Sequence, residues 1–137
     1  MSPSPARPGP MIALVIEDSR SMRAIIRQFL VELGFDVLEA ENGCEGLERL
    51  RALDRVDVVL VDLNMPEMGG AEFLRIARTI PRFQQAPMMV VTTESEVSSI
   101  TASIEAGTNE YLMKPFDRDG LLEKLVILGV EPGRRAA

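Results

Sequence analysis

The 137-residue chain contains no histidine. That removes the commonest general base and excludes a phosphohistidine within the chain. Any histidine in its chemistry must come from a partner. The single cysteine, Cys44, excludes an intrachain disulfide and fits a reducing compartment. No apolar stretch approaches the ~20 residues that span a bilayer. The stretch Met1–Pro10 has four prolines and no apolar core, so it does not read as a signal peptide. Excess positive charge is also missing. The net charge is −6, whereas nucleic-acid binding calls for a basic face. These absences point to a cytoplasmic protein with neither a membrane nor a nucleic-acid partner.

What is present is an ordinary soluble composition, 46% hydrophobic and 26% charged, at a length suited to one domain. Residues 1–10 read as a disordered proline-rich tail, 11–130 as the folded domain and 131–137 as a short polar tail. Strand and helix patterns alternate through the domain, the signature of an α/β fold with a parallel sheet. Strands are expected at Met11–Ile16, Asp36–Ala40, Asp57–Val61, Met88–Val91 and Glu110–Met113. The third is apolar on both faces and should be central. The first helix carries an apolar stripe of Met22, Ile25, Ile26, Phe29, Leu30 and Leu33. Ser19 or Ser21 should cap it, and Gly34 should end it in the left-handed conformation. Further helices are expected at Gly43–Ala52 (Cys44, Leu47 and Leu50 inward), Gly70–Thr79 (Phe73, Leu74, Ala77) and Glu96–Ala106 (Val97, Ile100, Ile104, closing at Gly107). The last is Asp117–Leu128 (Leu121, Leu122, Leu125, Leu128). Five strands and five helices with right-handed crossovers result.

Four apolar runs end on polar residues suited to phosphate or metal chemistry: Glu17-Asp18, Asp62, Thr92 and Lys114. In an open parallel sheet the ligand crevice lies at the carboxyl ends of the strands, so these groups should converge. Three clustered carboxylates repel one another unless a cation neutralises them. Mg²⁺ takes one or two carboxylates plus phosphate oxygens. Asp62, poorly solvated after an apolar run, is a candidate nucleophile, since carboxylates accept phosphoryl groups. Lys114 could pair with a phosphoryl oxygen and Thr92 could offer it a hydroxyl. Each also has an ordinary reading. Glu17-Asp18 could be a solvated capping loop, Asp62 a turn acid, Lys114 a surface lysine and Thr92 a β-branched strand residue. Their coincidence at four strand ends carries the inference.

The stretches "LVIEDSRSMR", "EAENGCEGLERL", "VLVDLNMPEMGG", "VVTTESE" and "EAGTNEYLMKPF" resemble the response-regulator receiver domain, in its single-domain CheY-like type, over about residues 11–130. The resemblance implies a flavodoxin-like, doubly wound parallel sheet of order 2-1-3-4-5. It implies that Asp62 accepts phosphate from a histidine kinase. Glu17, Asp18, Asp62 and the backbone carbonyl of Asn64 would bind Mg²⁺. Thr92 and Lys114 would contact the phosphoryl group, and Tyr111 would be an aromatic switch that turns inward as Thr92 moves. The Lys114–Pro115 peptide is expected to be cis. Readout would fall on the fourth helix, fifth strand and fifth helix. Asn64 and Glu94 sit where the family tunes phosphoryl lifetime. Three residues depart from the family pattern. Thr93 replaces a small residue and could crowd the phosphoryl group. Gly69 replaces a side-chain cap of the third helix, and Glu17 replaces an aspartate.

The leading expectation is a stand-alone, monomeric response regulator with no enzymatic activity beyond its own phosphorylation and dephosphorylation. Its output would be of the chemotaxis type, through a target such as the flagellar motor switch. The alternatives are a phosphorelay intermediate that passes the group to a histidine phosphotransfer protein, or a phosphorylation-independent adaptor. A hydrolase with an aspartyl-phosphate intermediate generally needs a second acid two residues after the nucleophile, and that position is Asn64 here.

Overall fold

The computed structural model describes residues 11–93 and 104–130. Both expected tails, Glu94 and most of the expected helix at Glu96–Ala106, including Val97 and Ile100, lie outside the described residues. The elements run β1 (Met11–Ile16), α1 (Arg20–Glu32), β2 (Phe35–Ala40), α2 (Gly43–Arg51), β3 (Val58–Asp62) and α3 (Gly70–Ala77). A short 3-10 turn at Pro81–Phe83 leads to β4 (Met88–Thr93), helical residues 104–106 (α4), β5 (Glu110–Lys114) and α5 (Arg118–Ile127). Among the described residues no helix is long and apolar enough to cross a membrane.

The five strands form one parallel sheet in the order β2-β1-β3-β4-β5. Side chains alternate between its two faces. Leu14, Ile16, Val59 and Val61 pack with Leu47 and Leu50 of α2 and with Phe73 and Leu74 of α3. Ala13, Val15, Val58 and Leu60 pack with Ile26 and Leu30 of α1 and with Leu121 and Leu125 of α5. The sheet is covered on both sides, which is the doubly wound CheY-like fold. Every residue of β3 is buried, as its unbroken apolar run requires.

Ser19 caps α1, its hydroxyl accepting from the Met22 N–H at 3.3 Å. Gly34 follows the helix at φ 98°, a left-handed conformation that costs glycine little. Three inward placements need correction. Ile25 is 44% exposed. The stripe read from sequence is wider than the helix–sheet contact, and Ile26 and Leu30 fill that contact. Cys44 is exposed, because α2 turns its glycines inward instead. A Cβ on Gly46 would lie 2.5 Å from the Ile16 Cδ1, so this glycine is what lets α2 close on β1. Ile104 is exposed and Ala106 takes the core position. In α5 only Leu121 and Leu125 are buried, with Leu122 and Leu128 half-buried.

Arg78, just after α3, ties two loops together. Its guanidinium donates to the carbonyls of Phe83 (2.7 Å), Ala86 (2.8 Å) and Gly107 (2.8 Å) and to the Asn109 side chain (2.9 Å). These loops feed β4 and β5, the strands that carry Thr92 and Lys114. Arg78→Ala strands several carbonyls and is expected to cost about 3 kcal/mol in urea unfolding. Arg78→Lys should recover less than half of that, because a point donor cannot span both loops.

Candidate functional site

Glu17 leaves β1 still in sheet geometry, its N–H donating to the Ala40 carbonyl at 3.0 Å. Its side chain is 1% exposed. Oε2 accepts the Ser19 N–H at 3.1 Å, while Oε1 is buried with no hydrogen bond. The nearest compensation for Oε1 is the Lys114 Nζ at 3.3 Å. Asp18 is exposed. Asp62 closes β3 and is 5% exposed. Its Oδ1 lies 3.6 Å from Lys114 Nζ and accepts a long bond, 3.4 Å, from the Asn64 N–H.

Oxygens of Glu17, Asp18 and Asp62 all come within 4.8 Å of one another. Burial, and next the Glu17 charge, push the Asp62 carboxyl up to about 7; Lys114 and the Asn64 N–H pull the other way without prevailing. The three carboxylates carry more negative charge than Lys114 balances. The buried Glu17 oxygen that makes no hydrogen bond, together with the carboxylates of Asp18 and Asp62, fits a hard divalent cation such as Mg²⁺.

The strands run one or two residues further than their apolar runs. β3 ends on Asp62, β4 reaches Thr93 and β5 ends on Lys114. The site residues are thus the last rungs of the sheet and are held by its ladder. Thr93 pairs with Lys114 in register, and Thr92 pairs with Met113. Thr92 is wholly buried, and its hydroxyl bonds to the Thr93 carbonyl at 3.3 Å rather than to the carboxylates. Tyr111 is half-buried on β5. The Lys114–Pro115 peptide is cis, in line with the family resemblance.

After Asp62 the chain turns tightly into α3. A Cβ on Gly70 would sit 2.7 Å from the Asp62 carbonyl oxygen, so the helix start presses on the strand exit. Gly69 is the cap of α3 and supplies no side-chain bond. Between them and Asn64, Glu67 has φ 69° and the Met68 N–H returns to the Pro66 carbonyl at 2.8 Å. This three-residue turn is strained for any side chain other than glycine.

The sequence reading missed Arg23 and Lys124. Arg23 donates to the Glu17 carbonyl at 2.7 Å and pairs with Glu39 at 3.3 Å, bracing the β1 exit against β2. Lys124 lies over the Tyr111 ring. An arginine on the polar side of a helical stripe, or a lysine on the last helix, carries no motif that singles it out.

Residues 13–126 match the response regulator receiver domain family. The chain is 43% identical over 121 residues to the chemotaxis protein CheY1 of Helicobacter pylori, covering 87% of this chain and 98% of that protein. It is 41% identical over 129 residues to the chemotaxis protein CheY homolog of Campylobacter jejuni, covering 93% and 99%. Among solved structures, the chemotaxis response regulator CheY4 of Vibrio cholerae superposes with a TM-score of 0.80 at 30% identity, covering 86% of this chain and 98% of that one. Carboxylates, lysine and strand order therefore coincide with a sequence match that spans nearly the whole domain, and the chain belongs to the response regulator receiver domain family, in its CheY-like type.

Proposed function

We propose that this protein is a phosphorylation-driven chemotaxis-type switch that receives a phosphoryl group on Asp62 from a histidine kinase. The observation that carries the reading is the buried Asp62 carboxylate, set against Glu17 and only 3.6 Å from Lys114. Glu17, Asp18, Asp62 and the Asn64 carbonyl would hold Mg²⁺, which when bound offsets the charge of the incoming phosphoryl oxygens. An Asp62 oxygen attacks phosphorus, the bond from phosphorus to the donor's imidazole nitrogen breaks, and the electron pair leaves with the imidazole. Lys114 then exchanges a carboxylate partner for a phosphoryl oxygen, a charge-assisted contact. The Thr92 hydroxyl gives up the Thr93 carbonyl for the same group, and Tyr111 follows inward. Only ligand contacts that differ between the two states can drive such a change.

The readout surface is assigned to residues 96–106, β5 and α5, where Val126 and Ile127 are exposed. Its target would be a component such as the flagellar motor switch. The chain turns over no substrate beyond its own phosphoryl group. Degenerate, phosphorylation-independent receivers usually lose the phosphoacceptor, an acid or the lysine, and all are present here.

The test is incubation with acetyl phosphate, with and without Mg²⁺, followed by intact mass. Wild type should gain one phosphoryl group only with Mg²⁺, and Asp62→Asn should gain none. A wild type that stays unmodified and also fails to bind beryllofluoride would sink the proposal. Thr93 adds bulk beside Thr92, so Thr93→Ala should be phosphorylated a few-fold faster, and equal rates would refute the crowding.

A further inference from the structure

The end of the sheet holds a contact that the phosphoryl site does not use. β5 is an edge strand. Glu110 and Tyr111 are successive residues on it and point to opposite faces. Lys124 of α5 reaches both. Its Nζ lies 3.2 Å from the Glu110 Oε1 and 4.8 Å from the centre of the Tyr111 ring. The same Glu110 oxygen accepts the Tyr111 N–H at 3.0 Å. One ammonium thus wraps the free edge of β5, held by the carboxylate behind it and facing the aromatic ring in front. The chain has only two lysines, and the other is Lys114 in the acidic site.

We infer that Lys124 is a positioning residue for Tyr111: with Glu110 as its anchor, it holds the ring at the edge of β5 in the unphosphorylated state and so sets the threshold of the switch. The inference rests on the proposed function, in which Tyr111 leaves this position on phosphorylation. An ammonium over an aromatic face is attractive, and the attraction is lost when the ring moves inward. A contact made in only one state biases the equilibrium toward that state. By linkage, removing it must favour the other state and every ligand that the other state prefers.

The experiment uses the full chain. Tyr111 is its only tyrosine, so ring labelling gives one NMR spin system. Beryllofluoride with Mg²⁺ serves as the phosphoryl mimic. Lys124→Met keeps most of the side-chain length and removes the charge. It should shift the ring resonances before any ligand is added and tighten beryllofluoride binding by about two- to fivefold, the factor equivalent to an exposed cation–aromatic contact. Glu110→Gln leaves α5 untouched but releases the anchor, and should act in the same direction. Lys124→Arg keeps the cation and should stay at the wild-type values. A purely structural role would lower the unfolding midpoint without tightening the mimic. If wild type binds beryllofluoride and Lys124→Met binds it equally well, the inference falls and the receiver reading stands. If wild type does not respond to beryllofluoride, both fall.

Discussion

Asp62→Asn is expected to stabilise the metal-free protein above about pH 7 while abolishing phosphorylation. The Asp62 carboxyl is raised from 3.8 to about 7, first by burial and then by Glu17. The folded protein therefore binds this proton more tightly than the unfolded chain does. Its contribution to stability is full below the unfolded value, declines as pH rises through the folded value, and is gone above it. Asparagine carries no such charge and shows no such decline. At about pH 8, without divalent cations, the variant should exceed wild type by something on the order of 3 kcal/mol in urea unfolding, and the two should converge near pH 4. Mg²⁺ should close the gap by stabilising wild type more than the variant, since only wild type gains a paired carboxylate. Parallel curves across this range would show that Asp62 is not held at an electrostatic cost.

Lys114→Met should have the opposite effect, and a larger one. Lys114 is the cation paired with two nearly inaccessible carboxylates, Glu17 at 3.3 Å and Asp62 at 3.6 Å. Removing one member of a buried ionic group leaves the others uncompensated, at a typical cost of about 3–5 kcal/mol. Loss of the lysine also removes an interaction that lowers the Asp62 value, so the carboxyl should titrate higher still. Adding Asp62→Asn to Lys114→Met removes one of the stranded charges. Asp62→Asn should therefore stabilise the Lys114→Met protein by more than it stabilises wild type, a coupling that a double-mutant cycle reads directly. Strictly additive effects would mean that Lys114 does not act through Asp62.

These expectations rest on different amounts of information in the chain. The apolar run Val58–Val61 followed by an acid is enough to locate a central strand and its exit, because burial on both faces leaves no other use for such a run. The alternation of elements and the positions of Gly34 and Gly107 likewise follow from local chemistry, and the strand order came with the family resemblance. The placements that failed are Ile25, Cys44 and Ile104. Periodicity gives the direction of a helix's apolar side but not the width of the contact it meets. Gly46, which carries no hydrophobic signal, decided how α2 lies.

At the site, Tyr111, inside β5, came with the family resemblance, but the types and order of the other residues are legible in the chain itself: Glu17, Asp18, Asp62, Thr92 and Lys114 all lie at or just past strand ends. Local pattern alone was enough to place them there, since a strand's apolar run must stop where the sheet meets solvent. Only the tertiary structure decided the energetics. It buried Glu17 and Asp62 while leaving Asp18 outside, set Lys114 between the two buried acids, and turned the Thr92 hydroxyl onto its own backbone. It also brought Arg23 under Glu17 and Lys124 over Tyr111. Charge, burial and distance between residues far apart in sequence are properties of the packed sheet and its helices, and no spacing along the chain encodes them.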